Sequence, residues 1–318
     1  MTGLTMARLT LLLPAGERFA GIAMPALLAK ALGRADESVG QPGEHAQLSR
    51  HFRLLPNRWS PAALTRTTDA GLADARSSAW LRADPAYIRP DINGARLLAT
   101  GAALSMTQQD TEAFLPALRP LFGDTGFLLD APHPTRWYLR LPHEVQLPDF
   151  PAPEQALGED VFDHTPDGPL ARRWRSLLSE AQVVLHNHPR NAARAEAGLV
   201  PVNSLWFWGG GILPDSVASD FLSVFSDDPV LHGLAGIGMF ETMSLADFSG
   251  FESLANDTVI DLRAARDAKA LLECWLQPAH AAALQGSVDF DLADGRMFRL
   301  QPNQRWRFWR KPRTTLTA

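Results

Sequence analysis

Cysteine is nearly absent from this chain of 318 residues: Cys274 stands alone. One thiol closes no internal disulfide and builds no cysteine-based zinc cage, so its default reading is a small buried hydrophobe. Long apolar runs are missing as well. Leu9 to Leu13 is far too short to span a bilayer and short for a signal-peptide core, and Pro14 and Gly16 break it. It reads as a first buried strand ending in a loop, which implies a cytoplasmic protein with no membrane partner. Basic excess is lacking too. Thirty Lys and Arg stand against 35 Asp and Glu, so nothing global attracts nucleic acid or an anionic surface. There are no internal repeats.

What is present supports a folded α/β protein. A 46% hydrophobic content suffices for a core, and 20% charge is ordinary. Residues 24–33 suggest a helix with Leu27, Leu28, Ala31 and Leu32 on one face and Gly33 as a stop. Residues 34–60 are polar and poorly periodic. An extended segment at 80–90 precedes a strand at 95–104. Ser105-Met106-Thr107-Gln108 offers a capping-box start for a helix to about Phe122, and 127–142 reads as a hairpin. This β-α-β-β order delimits a compact inserted α+β subdomain at 91–146, with 1–90 and 147–318 as the core. A Pro-rich acidic connection (148–169) leads to a helix whose stripe is Trp174, Leu177, Leu178, Ala181 and Leu185. A strand VNSLWFW follows. Residues 215–225 predict a helix capped by Asp215 or Ser216, and 261–284 a long helix interrupted at Pro278. The end predicts a hairpin turning at Asp294-Gly295, then a third strand. Alternating strands and helices argue α/β.

The stretch HNHPRNAARAEAGLVPVNSLWFWGGG (186–211) concentrates the candidate chemistry. His186 and His188 would point about 200° apart on a helix, so one metal cannot easily bind both. Pro189 also disfavours helical geometry at His188. The expectation is one packed histidine, one bonded to loop backbone, and no metal. Gly209-Gly210-Gly211 lacks the GK[ST] ending of a phosphate loop and the spacing of a dinucleotide fingerprint. Two readings stay open for it: anion binding by backbone N–H groups at a helix start, or a tight turn. Arg190 and Arg194 share a helix face. The ligand-binding candidates are therefore His188, Asn191, Arg194, Asn203, Gly209, Gly210 and Gly211. They would hold a small anionic or phosphorylated ligand where the Asn191–Arg194 helix meets the glycines. Asn203 could instead tie the loop down by hydrogen bonds.

Residues 296–313 carry Arg296, Arg299, Arg305, Arg307, Arg310, Lys311 and Arg313 without an acid, interleaved with Trp306, Phe308 and Trp309. Such a pattern can hold single-stranded nucleic acid by stacking and charge. The favoured reading is an amphipathic strand with Trp306 and Phe308 in the core, and nucleic acid is not the expected partner. Arg82, Asp84-Pro85 and Arg89 fit either a cleft or a strand exit.

His188, Pro189, Asn191, Arg194, Gly198, Pro201, Asn203, Trp206, Trp208, Gly209 and Gly211 together resemble archaeal-type cofactor-independent phosphoglycerate mutases of the alkaline phosphatase superfamily. LHGLAGIGM (231–239) is similar to a further segment of that family. A nearly full-length resemblance is to the xanthomonad-type regulatory protein RpfE family. It is carried by Trp80, Ala83, Asp84 and Pro85, by RWYLRL (136–141), by Glu180 to Asn191, by SLWFWGGG (204–211), and by LLECWLQP and RFWRKP. The mutase resemblance implies two metal ions, a Ser or Thr nucleophile and clustered Asp and His ligands. It also implies a first strand ending in Asp-Gly and a histidine-rich segment after the GM pattern. Here the strand ends Leu13-Pro14-Ala15-Gly16, and only His232 and His280 flank Met239. Glu17, Asp36 and Asp84 do not replace the missing groups on spacing.

These readings imply a degenerate alkaline-phosphatase-like core without metal or cofactor. The expected role is non-catalytic, regulatory or ligand-binding, with a small anionic ligand or a protein as partner. The alternatives are a phosphoglycerate mutase or phosphatase-like enzyme, and a nucleic-acid-binding regulator.

Overall fold

Strand and helix alternate through the chain, as the α/β reading expects. The computed structural model describes residues 7–92, 94–254 and 256–317. Its strands, in chain order, are β1 (Leu9–Leu13), β2 (Asp36–Val39), β3 (Phe52–Leu55), β4 (Ala79–Asp91), β5 (Gly94–Thr100), β6 (Leu128–His133), β7 (Arg136–Leu141), β8 (Ser204–Gly211), β9 (Ser216–Ser219), β10 (Ser223–Phe225), β11 (Glu241–Met243), β12 (Thr258–Asp261), β13 (Val288–Leu292) and β14 (Arg296–Leu300). They belong to two units, 1–55 with 216–318, and 56–215. Among the described residues no helix is long and apolar enough to cross a membrane.

In the first unit the sheet order is β11-β10-β12-β1-β13-β14-β2. The five strands from β11 to β13 run parallel, and β14 and β2 add antiparallel edges. Leu9, Leu11, Leu13, Ile260 and Phe290 pack under the helix Ala26–Arg34 and the helical stretch that begins at Ala268. In that first helix Leu28 and Leu32 are buried, but Leu27 is exposed. Period-two alternation sends Asp289 and Asp291 of β13 to the opposite face. Both carboxylates are wholly buried there, Asp289 against Arg8 and Arg299, Asp291 against Arg50 and His51.

Several expectations need correction in this unit. Residues 34–60 contain β2, a short helix (Glu44–Ser49) and β3. Residues 215–225 form no helix: β9 pairs with β3, and β10 sits between β11 and β12. Buried Val217, Val224 and Phe225 find partners across strands there, and long-range pairing outweighs local helical preference. The pattern at 261–284 begins as β12. Its helix starts only at Ala268 and passes through a π-turn, Leu271–Leu276, before Pro278. Proline cannot supply the usual intrahelical N–H, and a widened turn is one way a helix adapts to that. Cys274 is exposed, not buried.

The expected β13–β14 hairpin forms, with Gly295 at φ 96° in its turn. The third strand does not. After β14 the chain enters a 3-10 turn, Pro302–Trp306, and Trp306 and Phe308 are 65% and 79% exposed. The reason is positional: the free edge of β14 is already taken by β2. Gln304 is buried instead, donating to Asp36 Oδ2 and to the Arg299 carbonyl.

The second unit is an antiparallel sheet, β5-β4-β7-β6, with β8 also on β4. The β-α-β-β order read at 91–146 is present as β5, the helix Gln108–Gly123, β6 and β7. The 13-residue β4 pairs with β5, β7 and β8, so the unit extends from 56 to 215. Thr107, not Ser105, caps the helix, in a reciprocal box with Asp110. Ser105 is left-handed at φ 49°. Of the predicted stripe on the helix Pro169–His186, Trp174, Leu177, Ala181 and Leu185 are buried with Phe114, Trp137, Leu205 and Phe207, and Leu178 is partly buried against them.

Candidate functional site

The HPxNxxR stretch folds into a clamp. The helix ends at His186, which is exposed. His188 takes both expected histidine roles, packing 4.7 Å from the Phe114 ring and accepting the Arg190 N–H at Nδ1. Burial lowers its pKa. Arg194 is 1% exposed. Its Nη1 donates to Asp110 Oδ2 at 2.7 Å, its Nη2 to the Leu104 carbonyl, and its Nε to the Val200 carbonyl at 3.0 Å. Arg190 binds the other oxygen of Asp110 at 2.7 Å. Asn191 donates to the Leu185 and Val202 carbonyls and accepts the Val202 N–H. Asn203 accepts the Ile88 N–H and donates to the Ile88 carbonyl, acting as an extra strand partner for β4. The Arg194 nitrogens are committed to protein oxygens. A phosphate here would have to displace them.

The glycines lie elsewhere. Ser204 pairs opposite Ala86 and Gly211 opposite Trp80, at the two ends of β8. At about 3.3 Å per residue, Asn203 and Gly210 stand roughly 20 Å apart. The expected meeting of Asn191–Arg194 with Gly209–Gly211 therefore does not occur, because an extended strand holds them apart. No helix follows the glycines either. They serve close approach: a Cβ on Gly209 would come within 3.0 Å of Pro61, and one on Gly210 within 2.3 Å of Leu147. Ser60 caps the helix Pro61–Ala70, accepting the Ala63 N–H and donating to the Gly209 carbonyl. Gly210 and Gly211 line a cleft of about 480 Å³ with Arg58, Ser60, His143 and Leu147.

Sequence reasoning missed a buried polar network under the same helix. Arg82 grips Asp84 through two bonds, at 2.8 and 2.7 Å. Trp208 Nε1 donates to Asp84 Oδ2 at 2.7 Å, and the Trp137 N–H to Oδ1. Asp84 is 4% exposed, so it marks neither a strand exit nor an open cleft. Burial pushes its carboxyl pKa up, against the pull of Arg82. Tyr138 bonds Thr65 and Asp69, and burial raises its phenol pKa. Arg66 lies 4.2 Å above the Trp80 ring. The motifs W-x-x-ADP, RWYLRL and SLWFWGGG supply most of these residues, and their density of aromatic and charged side chains was the available signal.

In the first unit, the carboxyl ends of parallel strands are where open α/β sheets generally bind ligands. Here β10 is followed by Ser226 and Asp228, and β12 ends at Asp261. Between them sits Arg263, whose side chain is 7% exposed. It donates to Asp261 Oδ1 and Oδ2 at 2.8 Å and to Asp228 at 2.7 Å, with Glu44 at 3.4 Å. Burial works against its charge, but Asp261 and Asp228 prevail and raise its pKa. Ser226 donates to Asp261 Oδ2 at 2.8 Å, while His232 bonds the Ser226 carbonyl and Thr242. The Leu13-Pro14-Ala15-Gly16 end of β1 contributes no acid, and the Gly16 N–H donates to Asp294. Asp36 is engaged by Arg307, which lowers its pKa. Among the described residues, no group of three or more His, Cys, Asp or Glu is arranged to hold a metal ion.

The chain is thus an α/β protein whose acids at this edge are held by arginine. Over part of its length it is similar to 2,3-bisphosphoglycerate-independent phosphoglycerate mutases. It is 42% identical over 62 residues to a probable enzyme of this kind from Geobacter sulfurreducens, covering 20% of this chain and 16% of that one. It is 29% identical over 102 residues to the Methanosarcina mazei enzyme, covering 31% and 25%. With the Methanosarcina barkeri enzyme the figure is 26% over 149 residues, covering 43% and 36%. The chain therefore spans between 16% and 36% of the length of these relatives. No family model matches it. Among solved structures, a cofactor-independent phosphoglycerate mutase from Thermoplasma acidophilum aligns at 16% identity and a TM-score of 0.44, covering 94% of this chain and 90% of that one. The PH0037 protein from Pyrococcus horikoshii aligns at 12% and 0.48, covering 94% and 88%.

Proposed function

We propose that this chain is a phosphoglycerate-mutase-related protein with a degenerate alkaline-phosphatase-like core, and that it binds and regulates instead of turning over substrate. The observation that carries this is Arg263. Two-metal phosphoryl transfer needs carboxylates and imidazoles converging on cations beside a hydroxyl. Here Asp261, Asp228 and Glu44 surround a tethered guanidinium, and Ser226 donates its hydroxyl to the same Asp261.

The ligand class we assign is a small anionic or phosphorylated molecule. Its place is the cleft at Gly210 and Gly211, where the Pro61–Ala70 helix begins and Arg58 supplies a cation, with Glu144 and the Ser77-bonded His143 also in the lining. The names of the relatives favour a second reading, in which the chain interconverts phosphoglycerates.

Elemental analysis of the purified protein and a mutase assay with added manganese separate the two. The regulatory reading expects no stoichiometric metal and no turnover. About two metals per chain, with turnover lost on chelation, would establish the enzyme. A phosphate or 3-phosphoglycerate titration of wild type and Arg58→Ala tests the cleft. A calorimetric response lost in the variant supports it, and equal responses remove it.

A further inference from the structure

The tail after β14 is held at both ends and exposed between them. On one side Gln304 is buried, and Arg307 pairs with Asp36. On the other, the Arg313 N–H donates to the Ala29 carbonyl, its guanidinium pairs with Glu37, and Leu316 is 1% exposed in the core. The backbone crosses the Ala26–Arg34 helix so closely that a Cβ on Gly33 would sit 2.0 Å from the Lys311 carbonyl oxygen. A turn between these anchors, with Phe308 N–H on the Trp306 carbonyl and Arg310 N–H on the Arg307 carbonyl, presents Trp306, Phe308 and Trp309 at 65 to 79% exposure. Phe308 and Trp309 meet edge to face at 5.5 Å, and the Arg305 guanidinium lies 5.0 Å from the Trp306 ring centre.

Large aromatics are normally withdrawn from water. Here three are displayed on a backbone ordered in advance, which lowers the cost of ordering on binding. Cations outnumber acids around them, the acids being Asp36, which pairs with Arg307 and also attracts Arg310, and Glu37, which pairs with Arg313. Arg307 and Arg313 spend theirs on β2, whereas Arg305, Arg310 and Lys311 are exposed. Lys30 and Arg34 join Arg305, Leu27 and Leu284 around a cavity of about 180 Å³. Arg34 Nη1 donates to the Arg305 carbonyl at 2.9 Å, and its Nε is buried without a hydrogen-bond partner.

We infer that residues 305–311, with Lys30 and Arg34, form a binding surface for single-stranded nucleic acid. Bases stack on Trp306, Phe308 and Trp309, and phosphates meet Arg305, Arg310 and Lys311. A second copy of the chain fits less well, because a two-fold arrangement sets the same cations against each other. An acidic protein segment satisfies the charge but leaves the exposed ring faces without a stacking partner. Duplex DNA keeps its base faces inside the stack. This inference is independent of the ligand assigned to the other unit.

The test is fluorescence anisotropy with the full chain and a labelled oligothymidylate of about 12 nucleotides, within the usual footprint of such sites. A duplex of equal length and a polyglutamate peptide serve as comparators. The expected result is saturable, salt-sensitive binding that prefers the single strand. Trp306→Ala combined with Trp309→Ala should weaken it by roughly tenfold or more, with melting temperature unchanged. Arg310→Ala combined with Lys311→Ala should reduce the salt slope by about 0.7 for each phosphate that is no longer neutralised. Absence of saturable binding at low salt overturns the inference. So does equal binding of duplex with no effect of the tryptophan variants, which marks a mere polyanion surface. Tryptophan-dependent capture of polyglutamate in preference to the oligonucleotide overturns it in favour of an acidic protein partner.

Discussion

Residues 188–203 and residues 305–311 exchange the roles their sequences suggest. The first has the residue types of an anion site and is a structural clamp. The second has the alternation of a buried strand and is a turn that displays three large aromatics to water. What decides each case is whether the bonding capacity of the side chains is already used. Arg194 and Asn191 find carbonyls and a carboxylate within the fold. Trp306 and Phe308 find no sheet edge to join, since β2 lies on β14.

The sharpest way to break this comparison is Arg194→Ala. A buried charged partner removed from Asp110 should cost about 3–5 kcal/mol, measured by denaturant unfolding. An unchanged midpoint, with loss of anion binding, would restore the motif as a ligand site. Trp137→Ala, which removes a side chain at 0% exposure, should cost a similar ~3–5 kcal/mol. It is the reference for the tail.

Asn203→Ala should cost about 1–3 kcal/mol, since two hydrogen bonds to the Ile88 backbone disappear. Protection of the Ile88 amide against hydrogen exchange should fall with it. A smaller effect comes from His188. Burial lowers its pKa, so the folded state favours the neutral ring. Its contribution is complete above the unfolded value of about 6.5 and is lost as pH falls through the folded value. His188→Phe should flatten that part of the stability profile. His133 and His280, lowered in the same direction by burial, keep the remainder. An identical profile in the variant would show that His188 is not neutral-selective.

The smallest effect is assigned to Trp306→Ala, within about 0.5 kcal/mol of wild type. A loss approaching that of Trp137→Ala would mean the tail packs as a strand after all.

Much of the second unit was legible from sequence. The stripe Trp174, Leu177, Ala181 and Leu185 has helical spacing, Thr107 and Asp110 form a local cap, and the 127–142 hairpin pairs neighbours in the chain. The first unit was less so. Its strands β9, β10 and β2 are three or four residues long. Short segments carry too little periodicity to distinguish strand from helix. The Arg82–Asp84–Trp208 network was spread over distant motifs whose residue types were visible and whose convergence was not.

The sequence by itself determined the α/β alternation, the amphipathic faces, the Asp294-Gly295 turn and the lack of an acid at the end of β1. Each depends on residues within a few positions of one another, where propensity and spacing act directly. Only the tertiary structure decided that Arg263 stands among the carboxylates, that each Arg194 nitrogen has a protein partner, that Asn203 and Gly210 lie at opposite ends of one strand, and that the tail aromatics face water. Those outcomes depend on which distant partner reaches a hydrogen bond or a sheet edge first, and that competition is settled by the packing of the whole chain.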